Sequence, residues 1–473
     1  MSGLFASLNS SVSALTAHSR AVETAGKNLA NVSNPNYARQ RVIYGDRGTV
    51  VTPDGARSLG LEVLGVEQLR DALLDRQVVR ESARSAYYQA QQNGYQRAQA
   101  ALGQDVASAG SAGGTSSDTG IASALDGLFD AFHNFAANPT DTGHRQSLLQ
   151  NASIFTDRLQ LADSRLNQVQ TDLDAQVGSD VEDANRLLET IAGLNDQISR
   201  FEINRPGSAI DLRDQRQASL EKLAAKLPIE TTELPTGEVL ISSVDANGDP
   251  VVLISAAGVE GALAFDNSTN PPTVSGGSGA TVLVLDSGSI QGSISSRTDA
   301  IKTLRTQLDQ LAEQLVTSIN AIYNPSNTGD FFNASGTTAA TIRLESGLTS
   351  LNLKASDGGA AGDNTIALGI AQLAARKFST TGTPADLIDG SFGAFFSGAV
   401  SGLGQAVAGA TARVNDQSRI EQLVRSQRDA VSGVSLDEEM ANLMKYQRAF
   451  QASSRVFQTI DELLELVVTR LGN

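Results

Sequence analysis

Three histidines, His18, His133 and His144, are the only imidazoles in 473 residues, and no two have the spacing with which a helix presents a pair of metal ligands. Cysteine is absent, which removes disulfides, thiolate nucleophiles and cysteine-ligated metals together. Carboxylates gather at Asp437, Glu438 and Glu439 and again at Asp461-Glu462. The first group follows Ser435 at a helix start, where a capping box from Ser435 to Glu438 and the helix dipole account for it. The second falls on the solvated side of the same helix. Asp245, Asn247 and Asp249 resemble half of a calcium loop, but the sixth position is Pro250 instead of glycine and the twelfth is Ala256 instead of glutamate. The Gly-rich run 275–279 lacks the strand before and helix after that a phosphate cradle needs, and no nucleophile elbow or dinucleotide fingerprint occurs. The residues therefore predict no metal, no cofactor and no enzymatic reaction.

Large apolar residues recur instead at structural spacing. Leu436, Leu443, Phe450, Phe457, Leu464 and Leu471 are seven apart, with Met440 beside the row. A repeat held this long belongs to a coiled-coil seam. Near the other end, Leu8, Leu15, Val22 and Leu29 repeat the spacing until Asn34-Pro35, where the proline ring disfavours more helix. Two amphipathic helices thus bracket the chain. Each has too little to bury by itself, so both are expected to order when helices from other copies cover their stripes.

Composition narrows the class. Lys and Arg total 36 against 52 Asp and Glu, a net charge of −16 at pH 7. Such a balance argues against binding nucleic acid or anionic membrane. No apolar run is long enough to span a bilayer, and the first residues lack the charged and apolar regions of a cleaved signal. Apolar residues reach 40% with aromatics at 5% and no tryptophan, so the core must be aliphatic.

The pattern predicts a mainly α protein with a smaller all-β domain: terminal coiled-coil helices, an elongated helical bundle and an inserted β module. Residues 1–34 read as the first helix and 35–65 as an extended arm or hairpin turning at Pro53-Asp54-Gly55. Residues 66–227 read as the first part of the helical domain, with 107–120 a flexible loop by composition and Thr140 or Asp141 capping a long helix. Pro228 opens a β module over 228–289, in which Asn247-Gly248 between apolar runs marks a hairpin. Residues 290–433 return to the helical domain, with mixed loop and short strand at 324–363, and 434–473 form the closing helix. The β module, lying between helices of one bundle, reads as an outer insertion.

The stretch Asn28-Leu29-Ala30-Asn31-Val32-Ser33-Asn34-Pro35-Asn36-Tyr37-Ala38-Arg39-Gln40 resembles the N-terminal signature of bacterial flagellar axial proteins, carried by Asn31, Asn34, Tyr37, Arg39 and Gln40. Residues 435–453 are similar to that family's closing helix. Asn138-Pro139-Thr140-Asp141 with Arg145, then 211–216, then Gly329-Asp330-Phe331-Phe332, resemble internal stretches of its hook-associated junction members. The likeness covers most of the chain and is weakest over 228–289, where the module looks short for the family. The resemblance implies a structural part of the flagellum that joins hook to filament by packing its terminal helices. It also implies export through the flagellar type III channel and a cytosolic chaperone on the C-terminal helix. It implies self-assembly into an extracellular ring, with hook protein below and a second junction protein and the filament above. Two other readings stay open: another axial protein, such as the second junction protein or a hook protein, and a secreted adhesin whose β module binds glycan or calcium.

Overall fold

The computed structural model of the chain describes residues 2–52, 55–58, 60–103, 120–325, 329–358 and 362–471. The expected loop at 107–120 lies outside them except for Gly120, as do Pro53 and Asp54 of the expected turn.

Helix α1 (Ser2–Ala30) is followed by a hairpin arm. Strand β1 (Gln40–Asp46) pairs antiparallel with β4 (Leu61–Gln68), and β2 (Thr49–Thr52) pairs with β3 (Gly55–Ser58) at the tip. The arm runs past residue 65, and the next helix, α2 (Ala72–Leu102), begins only after Asp71. Asp71 stops the strand reading because its carboxylate accepts from the N–H groups of Leu73 and Leu74 at 2.8 and 3.2 Å, an N-cap. Leu69 and Leu73, helically spaced in the sequence, therefore fall on either side of that cap.

The body follows: α3 (Ile121–Ala137), α4 (Thr142–Glu202) and α5 (Ile210–Ala224). Asp141 caps α4 through the N–H groups of Gly143 and His144. With 61 residues, α4 is about 90 Å long at ~1.5 Å per residue, and it runs the length of the body. After the β module, α6 (Gly288–Ser296) continues through a π turn, Arg297–Ile301, into α7 (Lys302–Tyr323), so the expected single helix carries one widened turn. Helix α6 lies against α2 so closely that a Cβ on Gly292 would sit 2.3 Å from the Tyr87 carbonyl and one on Gly94 2.2 Å from Ser296 Oγ. Helix α8 (Thr365–Gln372) and the long α9 (Phe392–Ser432) complete the body. The expected short strands at 324–363 reduce, among the described residues, to one bridge between Phe332 and Leu344.

Apolar packing concentrates in the body. Phe132, Phe155, Leu159, Leu311, Leu315, Phe331, Phe332, Phe392 and Phe396 belong to one buried cluster built from α3, α4, α7, α8 and α9. Its aromatic rings meet edge-on or stacked, as with Phe331 and Phe332 at 4.9 Å between centroids.

The β module forms a four-stranded antiparallel sheet, β5 (Glu230–Glu233) to β8 (Gly258–Val259), and a three-stranded sheet, β9 (Ala264–Asp266) to β11 (Thr281–Val282). Its buried residues Ile241, Leu253 and Val274 share one cluster with Val177, Leu188 and Ile191 of α4, Leu223 of α5 and Ile290 of α6. The module is thus seated on three helices and has its core in common with them, because strands this short cannot close a core alone. The Asp245–Asp249 segment is the hairpin loop between β6 (Val239–Val244) and β7 (Pro250–Ser255): Asp245 Oδ1 accepts from the N–H groups of Asn247 and Asp249 at 2.8 and 2.9 Å, so the turn itself uses that carboxylate.

Helix α10 (Leu436–Leu471) returns to α1. No helix among the described residues is long and apolar enough to cross a membrane.

Candidate functional site

Helices α1 and α10 run antiparallel: Asn28 meets Glu439 at one end, while Leu15 to Glu23 face Phe450 to Gln458 further along. The partner of the C-terminal stripe is thus the N-terminal helix of the same chain. This is the partner that the matching heptad row at the other end offers, and the pair is formed here without the further helices from other copies that were expected to order it. Leu443, Phe457 and Leu464 become half-buried against α1, as do Leu8, Leu15, Val22 and Leu29 on the other side. Leu436, Met440 and Phe450 stay exposed, at 47%, 47% and 39%, and Leu471 ends the helix. The deepest face of α1 is made of small residues, Ala17, Ala21 and Ala25, all at most 2% exposed, of which the heptad reading placed only Ala25, on the row beside the large residues. Small side chains allow α10 and the β1–β4 arm to approach α1 together.

At the root of this pair Tyr37, Arg39 and Gln40 converge on Asn28 and the start of α10. Asn28, 1% exposed, spends its whole amide there. Its Oδ1 accepts from Tyr37 Oη at 2.8 Å and from the Gln40 backbone N–H at 3.0 Å. Its Nδ2 donates to the Gln40 carbonyl at 2.8 Å and to Glu439 Oε2 at 3.0 Å. Arg39 forks across the start of α10, donating to Glu439 Oε1 at 2.8 Å and Glu438 Oε2 at 2.7 Å, and its backbone N–H donates to the Ser432 carbonyl. The capping box read from the sequence is therefore only half present: Ser435 Oγ accepts from the Glu438 N–H at 3.5 Å, while both glutamates serve Arg39. Asn31 and Asn34 stand apart from this centre and shape the bend before it. Asn31 donates to the Lys27 carbonyl, and Asn34 Oδ1 accepts from the Asn36 N–H in a local turn.

A second group attaches this root to the body. Asp214 of α5 accepts from Ala38 N–H at 3.4 Å, from Gln68 Nε2 at 2.8 Å and from Arg70 at 2.6 Å. Arg70 also bonds Asp75 of α2, Gln40 Nε2 reaches Asp211 at 3.3 Å, and Arg428 of α9 joins Glu221 to the Pro35 carbonyl. Burial lifts the Asp214 carboxyl above its ordinary value, and the Arg70 guanidinium opposes the lift without cancelling it. Burial, with Asp214, Asp211 and Glu439 nearby, drives the Tyr37 hydroxyl far above its usual range, so it remains a donor to Asn28. One turn away, burial alone would raise Glu202, but hydrogen bonds from Arg213 and from the Gly207 and Ala209 N–H groups overcome it and bring the carboxyl down to about 2.

The polar groups of this constellation are spent on one another. A cleft of about 600 Å³ beside it is lined by Arg70, Arg213, Arg216 and Glu233. Its cations are engaged internally: Arg213 by Glu202 and Glu233, and Arg216 by Asn195 Oδ1 and the Gly237 carbonyl. The histidines lie on three different helices, His18 half-buried with its pKa lowered by burial, and the described residues contain no group of potential metal ligands.

Sequence reasoning noted Asn28, Asp211 and Asp214 only as parts of longer stretches, gave Glu438 to a capping box and Glu439 to the helix dipole, and gave Arg70 and Arg428 no role. The available signal was the coincidence of carboxylates at the α10 and α5 starts with a Tyr-x-Arg-Gln motif. The other internal stretches have structural roles as well. Arg145 holds the Pro139, Ser350 and Leu353 carbonyls, and Phe331 and Phe332 lie in the body core.

Comparison with known proteins agrees with this architecture. The family described as "Flagellar hook-associated protein FlgK helical domain" matches residues 113–330, and "Flagellar basal body rod FlgEFG protein C-terminal" matches 425–470. The "Flagellar hook-associated protein 1" of Bacillus subtilis is 24% identical over 524 residues, spanning 100% of this chain and 99% of that protein. The Escherichia coli protein of the same name is 24% identical over 320 residues, 66% of this chain and 56% of its own length, so the likeness reaches little more than half of that longer relative. A solved structure, the flagellar hook junction protein FlgK from Burkholderia pseudomallei, overlaps 54% of this chain and 46% of its own at 20% identity, with a TM-score of 0.45. By its helical domain, its rod-type C-terminal segment and its end-to-end likeness to the Bacillus protein, the chain is similar to the flagellar hook-associated protein 1 family of flagellar axial proteins.

Proposed function

We propose that this chain is a non-enzymatic joint of the extracellular flagellum, set between hook and filament, whose α1–α10 pair packs against the pairs of neighbouring copies in a ring. The observation that carries this reading is the state of the pair. It is formed, yet Phe5, Val12, Met440, Met444, Val456 and Leu463 remain 43–56% exposed on its outside. An exposed apolar surface of this extent on one narrow element fits burial between copies. Hook protein below and a second junction protein with the filament above would be its neighbours. Passage through the type III channel, with a cytosolic chaperone shielding α10 beforehand, fits a chain that has no cysteine to cross-link.

The axial packing is tested by deleting residues 436–473. The body should still fold, while ring assembly and filament growth should be lost. Normal filaments from such a strain would refute the proposal. A second reading, another axial position such as hook or second junction, is favoured by the rod-protein match over 425–470. Antibody labelling of purified flagella separates the two, since only the first puts the label at the hook–filament boundary.

A further inference from the structure

In the lower half of the body, α4 and α9 lie on opposite flanks with α2 and α5 between them. Helix α2 packs against both, and Glu221 of α5 accepts from Arg425 and Arg428 of α9. The two flanks stand at one height, because α5 meets α4 as well: Arg216 reaches Asn195, and Lys226 just past its end bonds Asp180 and Asp183. Each flank keeps apolar side chains that the fold leaves uncovered. On α9 these are Ile420, Leu423 and Val431, 47–60% exposed; at the end of α4 they are Phe201 and Ile203, at 64% and 76%. Each flank also carries exposed charges, of opposite prevailing sign, that have no ion-pair partner among the described residues. Arg413 and Arg419 stand on α9 with only Asp416 against them. Glu182 and Glu189 stand on α4, where Arg186 and Arg200 are already taken by Asp183 and Asp196. The spacings agree too. Arg419 precedes Val431 by as many residues as Glu189 precedes Phe201, a rise of about 18 Å on either helix, and both helices run toward the root.

We propose that these flanks are the two halves of a head-to-tail contact between bodies, in which α9 of one copy lies on α4 of the next, Arg419 opposite Glu189 and Val431 opposite Phe201. The inference rests on the ring reading above and adds a body-to-body contact to it. A closed ring of identical subunits needs two different surfaces on each, on opposite sides and at one height, whereas a surface that matches only itself makes a pair and stops. The apolar ends supply the area removed from water. Exposed arginine–glutamate pairs add little strength, but they choose the partner and the register, since α9 on α9 or α4 on α4 would bring like charges together.

The chain has no cysteine, so introduced thiols report on this contact alone. Two double variants, Arg419→Cys with Glu189→Cys and Val431→Cys with Phe201→Cys, are expressed in place of the wild type, and purified flagella are mildly oxidised. A disulfide needs Cα atoms within about 7 Å, which the opposite flanks of one molecule do not offer. A ladder of dimers, trimers and higher multimers should appear from the double variants, collapse on reduction, and be absent from each single-cysteine variant. Dimers from a single-cysteine variant would mean a self-matching face and overturn the proposal. Monomers from both pairs, in flagella whose hook–filament boundary still takes the antibody, overturn the contact and leave the ring reading standing. Absence of the wild-type chain from that boundary sinks the ring reading and this contact with it. If the cysteine variants fail to enter flagella, charge exchange decides. Arg413→Glu with Arg419→Glu should reduce the filaments per cell, and adding Glu182→Arg with Glu189→Arg should restore them. No reduction in the first, or no recovery in the second, overturns the proposal.

Discussion

In the body, the most shielded side chains are Phe155, Leu159, Leu311 and Phe332; at the root of the helix pair they are Asn28, Gln40 and Glu439. The first set gains stability by leaving water and asks only that shape be filled. The second set gains little on balance but tolerates one geometry only, because every wrong register leaves a buried donor or acceptor unpaired. The contrast teaches a division of labour. Greasy packing makes the body durable, and polar matching fixes the angle and register at which the terminal helices leave it.

That contrast is most open to attack at Phe155. Replacing it by alanine should cost about 3–5 kcal/mol, read as a fall in the unfolding free energy of the body. A loss below about 1 kcal/mol would mean that the cluster closes over the gap and is less tightly packed than drawn here. At the root, Asn28→Ala should cost about 1–3 kcal/mol for each polar group left without a partner. Its signature is local: amide exchange should quicken over 20–40 and 436–446 and stay unchanged in α3, α4 and α7. Equal loss of protection in the body would show that the two regions unfold as one.

The third prediction sharpens the comparison through acid. Glu202 lies beside the joint with its carboxyl depressed from 4.5 to about 2. A depressed carboxyl contributes stability that is complete above the ordinary value and is lost as pH falls through the folded value. The stability deficit of Glu202→Gln relative to wild type should therefore be constant near neutrality and close between about pH 4.5 and about pH 2. Paired chemical unfolding curves across that range measure it. A deficit that persists at the acid end would mean that packing, and not charge, is what Glu202 supplies.

Periodicity made the helices legible. The heptad rows at both ends, the long run that became α4 and the Asn-Gly hairpin of β6 and β7 all follow from local spacing or turn chemistry. The joint was harder to read because its pairs are distant. Arg39 and Glu439 are 400 residues apart, and nothing in composition separates a buried glutamate from a solvated one at a helix start. Glu438 consequently passed for a capping-box residue and Glu439 for a dipole partner. Ala17 and Ala21, in line with Ala25, were missed for a related reason: alanine weighs little in a search for large apolar residues, although it marks the place where backbones come closest. The β module was read as an outer insertion, and the sequence does not show which helices will roof its strands.

The antiparallel pairing has a consequence in time. Asn28 and the glutamate it bonds stand 411 positions apart, so α1 must wait for α10 to be made. At ~5–20 residues per second that delay is roughly 20–80 s. Throughout it, the leading segment has made its turns but lacks its mate, and remains open to capture by whatever else is sticky in the cell.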